Sequence, residues 1–320
     1  MGRAVTVVGA GVNGLTCGVV LQEAGFEVTL VAELLPPHTT SDLSAAIWYP
    51  YKALPVESVR RWSEISFHHF SKLSLDPTSG VSMTWGEKWF HRPMGDPWWK
   101  PFNPSFSRPG SSHSGIRSTY RFQVPIIDMS HYLPHFLLPR FLSLGGRIIQ
   151  KKLEKAVDET NSAFALVNCT GLGAKELVGD LECFPIRGQV LKFPKANITE
   201  FLMDTDHPLG MVYVIPRIND CIVGGSSDKN NNNAQASPKE SEEIHFRASQ
   251  ILPSLRSLTP QTSWAGLRPG RTSVRLEVEA NSPLPMIHNY GHGGSGVTTS
   301  WGCAEDVLAL LKQLSPRRNA

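Results

Sequence analysis

The chain has 320 residues, 41% of them hydrophobic and 18% charged, with a formal net charge of +3. That is enough apolar material for a sizeable core and suits two interleaved domains better than one small one. No apolar run reaches the length of a membrane span, the first strand starts too early to leave room for a secretory leader, and no basic run marks a nucleic-acid footprint; Lys151-Lys152 and Arg317-Arg318 read as solvated surface.

Val5 to Val8 reads as a short buried strand, followed by the tight turn Gly9-Ala10-Gly11-Val12-Asn13-Gly14. Apolar residues recur at helical spacing from Leu15 to Ala24, and Gly25 stops the helix. Phe26 to Val31 is a second strand, closed by the acidic Glu33. This is a βαβ unit with G-x-G-x-x-G in its first turn, a pattern of dinucleotide binding. The first glycine permits the turn, the second lets backbone approach a pyrophosphate, and the third lets helix and strand pack. The helix N-terminus adds free N–H groups and positive dipole. Glu33 is placed to accept hydrogen bonds from the ribose hydroxyls, and an acid there selects FAD or NAD over NADP. By itself the motif admits an NAD-linked dehydrogenase.

Thr39-Thr40-Ser41-Asp42 and Ser44-Ala45-Ala46 offer hydroxyls and room beside that turn, and read equally well as an N-cap with a short helix. Trp48 to Tyr51 looks like a loop at a cleft, and Val56 to Leu75 has helical spacing. Trp85 to Arg108, rich in aromatics and prolines, reads as short strands and irregular loops. Arg117 to Ile127 alternates as a strand. Met129 to Leu144 reads as a helix kinked at its prolines, stopped by Gly145-Gly146, with Arg147 to Leu153 a strand after it. Phe164 to Gly171 is a buried strand ending in a glycine turn, a second approach of backbone to a dinucleotide. Ile186 to Phe193, Met211 to Pro216 and Asp220 to Gly225 suggest an antiparallel sheet, Asp228 to Lys239 a polar loop, and Ser241 to Leu252 an amphipathic helix. Ser263 to Gly270 is a strand holding Arg268 in apolar surroundings. The glycine-rich 291–296 then leads into a helix from Val297 to Leu314, again an anion-facing device.

The expected fold is mixed α/β: a Rossmann-like FAD-binding domain (1–50, 140–185 and 276–320) and an antiparallel-sheet substrate-binding domain (51–139 and 186–275). The cysteines Cys17, Cys169, Cys183, Cys221 and Cys303 form no CxxC pair and no metal spacing, and read as buried free thiols of a reducing compartment, with a Cys183–Cys221 bridge left open. With no peroxisomal tripeptide at the C-terminus, a cytoplasmic location is expected.

The motifs HTTSDLSAAIWYPY, VNCTG, IRGQVLKF, YVIP…VGG, GLRPGR…VRLE and HNYGHGGSGVTTSWGCA occur in the order found in D-amino-acid oxidases, and the chain resembles that family over nearly its whole length. The resemblance implies an FAD enzyme that takes the Cα hydrogen of a D-amino acid as hydride onto flavin N5. Dioxygen then reoxidises the flavin to give hydrogen peroxide, and the imino acid hydrolyses to a 2-oxo acid and ammonia. No general base is implied; the protein supplies binding, orientation and electrostatics. Arg268 matches the arginine that pairs with the substrate carboxylate, Tyr213 the tyrosine whose hydroxyl also holds it, and Gly294 the glycine whose carbonyl accepts from the amine. The candidate FAD contacts are Gly9, Gly11, Val12, Asn13 and Gly14; Glu33, Thr39, Thr40 and Ser41; Ala45, Ala46 and Ile47; Leu153, Thr170 and Gly171; and Gly293, Gly294, Ser295, Gly296, Val297 and Thr298, with Arg275 near the flavin.

Two departures from the family pattern carry expectations. Leu209 stands where mammalian members have a lid tyrosine, and the segment Asp204 to Gly210 is short, which puts a full closing lid in doubt. The positions at which D-aspartate oxidases carry side-chain-binding arginines hold Ser227 and, nearby, Met203. A buried unpaired carboxylate is costly, so neutral or apolar D-amino acids are favoured. The alternatives are a D-aspartate or D-glutamate oxidase, with Arg217, Arg271 or His207 as its cation if they point inward, although surface positions are expected for all three, and a flavin-bearing sensor without turnover. A homodimer is left open.

Overall fold

The computed structural model describes residues 3–110, 113–155, 163–279 and 284–314. Arg317 and Arg318 lie outside them. Strand β1 (Ala4–Val8), helix α1 (Val12–Glu23) and strand β2 (Glu27–Ala32) form the front βαβ unit. β1 is buried almost throughout, as a central parallel strand covered on both faces should be. It pairs in parallel with β2 on one side and with Ala165–Asn168 on the other. Arg147–Gln150, Met286–Tyr290 and Arg275–Glu279 complete a six-stranded sheet, in which only the last strand runs antiparallel to its neighbour. Helix α1 starts at Val12, three residues before the periodicity suggests, because the extended Gly11 serves as its N-cap. Gly25, at φ +87°, ends it in the left-handed conformation.

The second sheet has eight strands and is mostly antiparallel. Val81–Phe90 pairs with Ser118–Ile127 on one side and, in parallel, with Phe201–Asp204 on the other. The register then runs Lys88 opposite Met203, Met203 opposite Tyr213, and Tyr213 opposite Gly224. Directly paired residues share a face, so this row of side chains points one way.

Three local readings change. In the stretch Trp85 to Arg108 the strand is longer than expected, since Trp85 to Phe90 completes the ten-residue strand Val81–Phe90, paired on both sides, and mostly irregular chain follows it. The segment after Asp128 is α-helical at Met129–His131 and Leu138–Ser143, with a π-helical stretch at Tyr132–Leu137, where proline lacks the N–H of the regular ladder. Within the polar stretch 228–239, Asp228–Lys229 pairs with Ile186 and Arg187, and Ser237 caps the helix Pro238–Ile251. All five cysteines are free, so no Cys183–Cys221 bridge forms.

The main core draws on both sheets: Val7, Leu15 and Val19 belong to the same cluster as Phe122, Ile126 and Phe201. The C-terminal helix Gly296–Leu314 packs against α1 and Val56–Leu73 and seals one side of this core. Among the described residues no helix is long and apolar enough to cross a membrane.

Candidate active site

A cavity of about 580 Å³ lies between the carboxyl ends of the parallel strands and one face of the antiparallel sheet, where open α/β sheets place their ligands. Its volume falls in the range of small-molecule sites.

The parallel-sheet end is built mainly from backbone, although Glu33, Lys151 and Lys152 also line the cavity, so the two lysines are not simply solvated surface. Gly9, Gly11, Val12 and Asn13 line it, and Gly14 lies just behind. A Cβ at Gly14 would stand 1.8 Å from the Gly9 carbonyl oxygen, so the third glycine of the motif is a packing requirement. Ser41 Oγ accepts from the Val12 N–H at 3.0 Å and ties the loop to the helix start. Thr39 and Asp42 form a capping box at the head of the short 3-10 turn Thr40–Leu43, so the capping and cavity-lining readings of this stretch both hold. Glu33, Ala45, Ala46, Ile47, Leu153, Thr170 and Gly171 also reach the cavity. From the other side come Gly293, Gly294, Gly296, Val297 and Thr298, at the start of the C-terminal helix. Two helix N-termini thus face one space. Burial pushes the pKa of His292 down to about 4, so at neutral pH this turn attracts anions through its dipoles and not through a side-chain cation.

The antiparallel face supplies side chains. Arg268, on Thr262–Gly270, donates Nη1 to the Ser226 carbonyl at 3.2 Å and has no carboxylate within 4.0 Å among the described residues. Beside it, Tyr213 has its phenol pKa raised by burial, an effect that Arg268 opposes, so it keeps its proton at neutral pH. Two glycines seat this pair. A Cβ at Gly188 would lie 2.1 Å from Arg268 Nη1, and one at Gly224 2.1 Å from Tyr213 Cζ. Gly294 is close by: a Cβ there would be 3.8 Å from Arg268 Cδ. The arginine, the tyrosine and the glycine therefore meet at one end of the cavity.

Other candidates are placed elsewhere. Ser295 does not line the cavity; its hydroxyl accepts from the Tyr51 N–H at 3.0 Å and donates to the Tyr51 carbonyl at 2.6 Å, pinning that loop. Thr298 holds the Tyr49 backbone in the same way while also reaching the cavity. Arg275 does not line it either. It is held by Glu277 and Glu279, both at 2.8 Å, and by Asp180 at 3.7 Å, behind Tyr290. Arg217 is not on the surface but buried, bonded to Asp220 at 2.6 Å and Asp128 at 3.2 Å. Arg271 is held by Asp180 at 3.0 Å and Glu182 at 3.2 Å, and His207 is also absent from the lining. Met203 and Ser227 are on the wall, whereas Leu209 is 56% exposed on a short turn between paired strands. Tyr49 and Tyr51 line the cavity, as a loop at a cleft should, whereas Gly188 and Gly224 as seats, and Thr205 with Lys88 behind it, were not foreseen from the sequence.

The residues present fit FAD. Two glycine turns leave room for a pyrophosphate and a ring system, an acid closes the second strand, and the buried Asn13 Oδ1 beside both turns has no donor. The model of the FAD dependent oxidoreductase family matches residues 4–87 and 104–310. The chain is 41% identical to a D-amino-acid oxidase of Rubrobacter xylanophilus over 95% of its own length and 94% of the relative's. It is 34% identical to a D-amino-acid oxidase of Dictyostelium discoideum, covering 97% and 92%. Among solved structures it is similar to the glycine oxidase of Bacillus cereus, with a TM-score of 0.76 at 16% identity over 98% and 96% of the two chains. The chain belongs to the family of FAD-dependent oxidoreductases that includes D-amino-acid oxidases, and FAD is its cofactor.

Proposed function

We propose that this protein oxidises D-amino acids with neutral side chains, with dioxygen as the final acceptor. The balance is one amino acid, one dioxygen and one water in, and one 2-oxo acid, one ammonium ion and one hydrogen peroxide out. The observation that carries the reading is Arg268, a guanidinium at the cavity with a carbonyl and, among the described residues, no acid as its partner. An α-carboxylate is the ligand that such a fork takes in a bidentate pair. Tyr213, protonated, donates to the same carboxylate, and the Gly294 carbonyl accepts from the amine. Two contacts on the carboxylate and one on the amine fix two of the bonds at Cα and so set how it is presented. Bound FAD supplies the two-electron acceptor. The D configuration rests on the relatives from Rubrobacter and Dictyostelium.

The neutral preference is supported by the arginines that do not reach the cavity: Arg217 and Arg271 are each held by two acids. Five free cysteines, four of them buried, support a reducing, cytoplasmic setting. The test is an anaerobic titration of the yellow holoprotein with D-alanine, L-alanine and D-aspartate. Bleaching of the flavin by D-alanine and not by L-alanine is expected. A holoprotein that no D-amino acid bleaches would overturn the reading, and bleaching by D-aspartate alone would overturn the neutral preference.

A further inference from the structure

Lys88 is a lysine buried to 4% exposure beside the cavity. It sits in the row Lys88–Met203–Tyr213, of which Met203 and Tyr213 line the cavity. Its ammonium donates to Thr205 Oγ1 at 2.7 Å and lies 5.3 Å from the centre of the Tyr49 ring, and Thr205 and Tyr49 both line the cavity. No carboxylate lies within 4.0 Å of it among the described residues: Asp206 and Asp204 act on it from farther off, and Asp204 is bonded to His91 at 2.9 Å. A buried ammonium whose hydrogen-bond partner is a hydroxyl and not a carboxylate is costly to hold.

The chemistry of the Lys88–Thr205 bond fixes a direction. An ammonium is donor only, so the Thr205 oxygen must accept. The Thr205 O–H is therefore free to donate, has no acceptor among the described residues, and is polarised by the charge behind it. Strands lie about 4.8 Å apart, so Lys88 stands roughly 10 Å across the sheet from Tyr213, where the carboxylate binds. D-alanine is too short to span from one to the other.

We propose that Thr205, oriented by Lys88, is a hydrogen-bond donor at the side-chain end of the cavity, and that the preferred D-amino acids carry an oxygen acceptor at the tip of a linear side chain. The inference rests on the D-amino-acid oxidase reading. In keeping with the neutral preference, the acceptor is a carboxamide oxygen, tested with D-glutamine beside the apolar D-norleucine.

The test is the ratio of kcat/KM for D-glutamine to that for D-norleucine, measured on the holoenzyme. In the wild type this ratio is expected to exceed one. It should fall about tenfold, mainly through KM, in Thr205→Val and in Lys88→Met, and survive in Thr205→Ser, which keeps the hydroxyl. Because both substrates share Arg268 and Tyr213, the ratio cancels any general damage to the fold or the flavin site. A wild-type ratio at or below one overturns the proposal, as does a ratio that Thr205→Val and Lys88→Met leave unchanged. Flavin bleaching by D-alanine in the same preparation keeps that failure distinct from a failure of the oxidase reading.

Discussion

Where the parallel sheet meets the cavity it offers mainly backbone: glycine turns, helix N-termini and a neutral histidine, with Glu33, Lys151 and Lys152 beside them. Where the antiparallel sheet meets it, the protein offers side chains: Arg268, Tyr213, Met203 and Thr205, with glycines in the next strands making room for the first two. The difference follows from what each end holds. A pyrophosphate is a compact anion that many N–H groups can share, so close approach of the chain is what matters. A small amino acid must be oriented, and orientation needs a few directed donors on rigid strands.

Substitutions that separate the two ends make the comparison testable. The largest effect, loss of the flavin and with it of all activity, is expected from Gly14→Ala, whose Cβ would meet the Gly9 carbonyl oxygen at 1.8 Å with only backbone to yield. The strain is on the order of 3 kcal/mol, and the protein should be isolated colourless, its flavin absent from the visible spectrum. Arg268→Met tests the opposite wall. Loss of the charged partner of the carboxylate costs about 4 kcal/mol, or roughly a thousandfold in kcat/KM, with normal flavin content. If Arg268→Met also lost its flavin, the two ends would not be separable.

Gly188→Ala is a finer probe. The added methyl would overlap the Arg268 guanidinium, the far end of a flexible side chain, so the fold can yield while the fork is displaced. A fall in kcat/KM of about thirtyfold, some 2 kcal/mol, is expected, with flavin content and thermal midpoint near those of the wild type. An equal drop in thermal stability would make Gly188 a packing residue and not a seat.

The two ends also differ in how far they could be read from the chain. Gly9, Gly11, Gly14 and Glu33 act within one βαβ unit, so local spacing carries their chemistry. The antiparallel wall comes from strands that only register brings together: Lys88 and Thr205 are 117 residues apart in sequence yet share a hydrogen bond. Nothing local marks Gly188 or Gly224 as seats, because the side chains they accommodate belong to other strands. Arg275 is a different case. Arg275, Glu277 and Glu279 alternate along one strand and therefore share a face, so its pairing was legible in the pattern Arg-Leu-Glu-Val-Glu.

The smallest effect concerns His292, and it bears on whether the backbone end works without side-chain charge. Its folded pKa of about 4, lowered by burial, lies below the ordinary histidine value near 6.5. Above pH 6.5 the imidazole is neutral in folded and unfolded chains alike, and its burial costs no protonation. Between 6.5 and 4 the unfolded chain binds a proton that the folded one does not, so stability falls as the pH falls, by about 1.4 kcal/mol per unit. At pH 5.5 the protein should be about 1.4 kcal/mol less stable on this account, read as a lowered denaturant midpoint. His292→Gln should lose that part of the pH dependence. If instead the wild type were as stable at pH 5.5 as at 7 while the variant bound FAD less tightly at pH 5.5, His292 would be a cation in the folded protein. The parallel-sheet end would then hold its anion with a side-chain charge, as the Arg268 wall does.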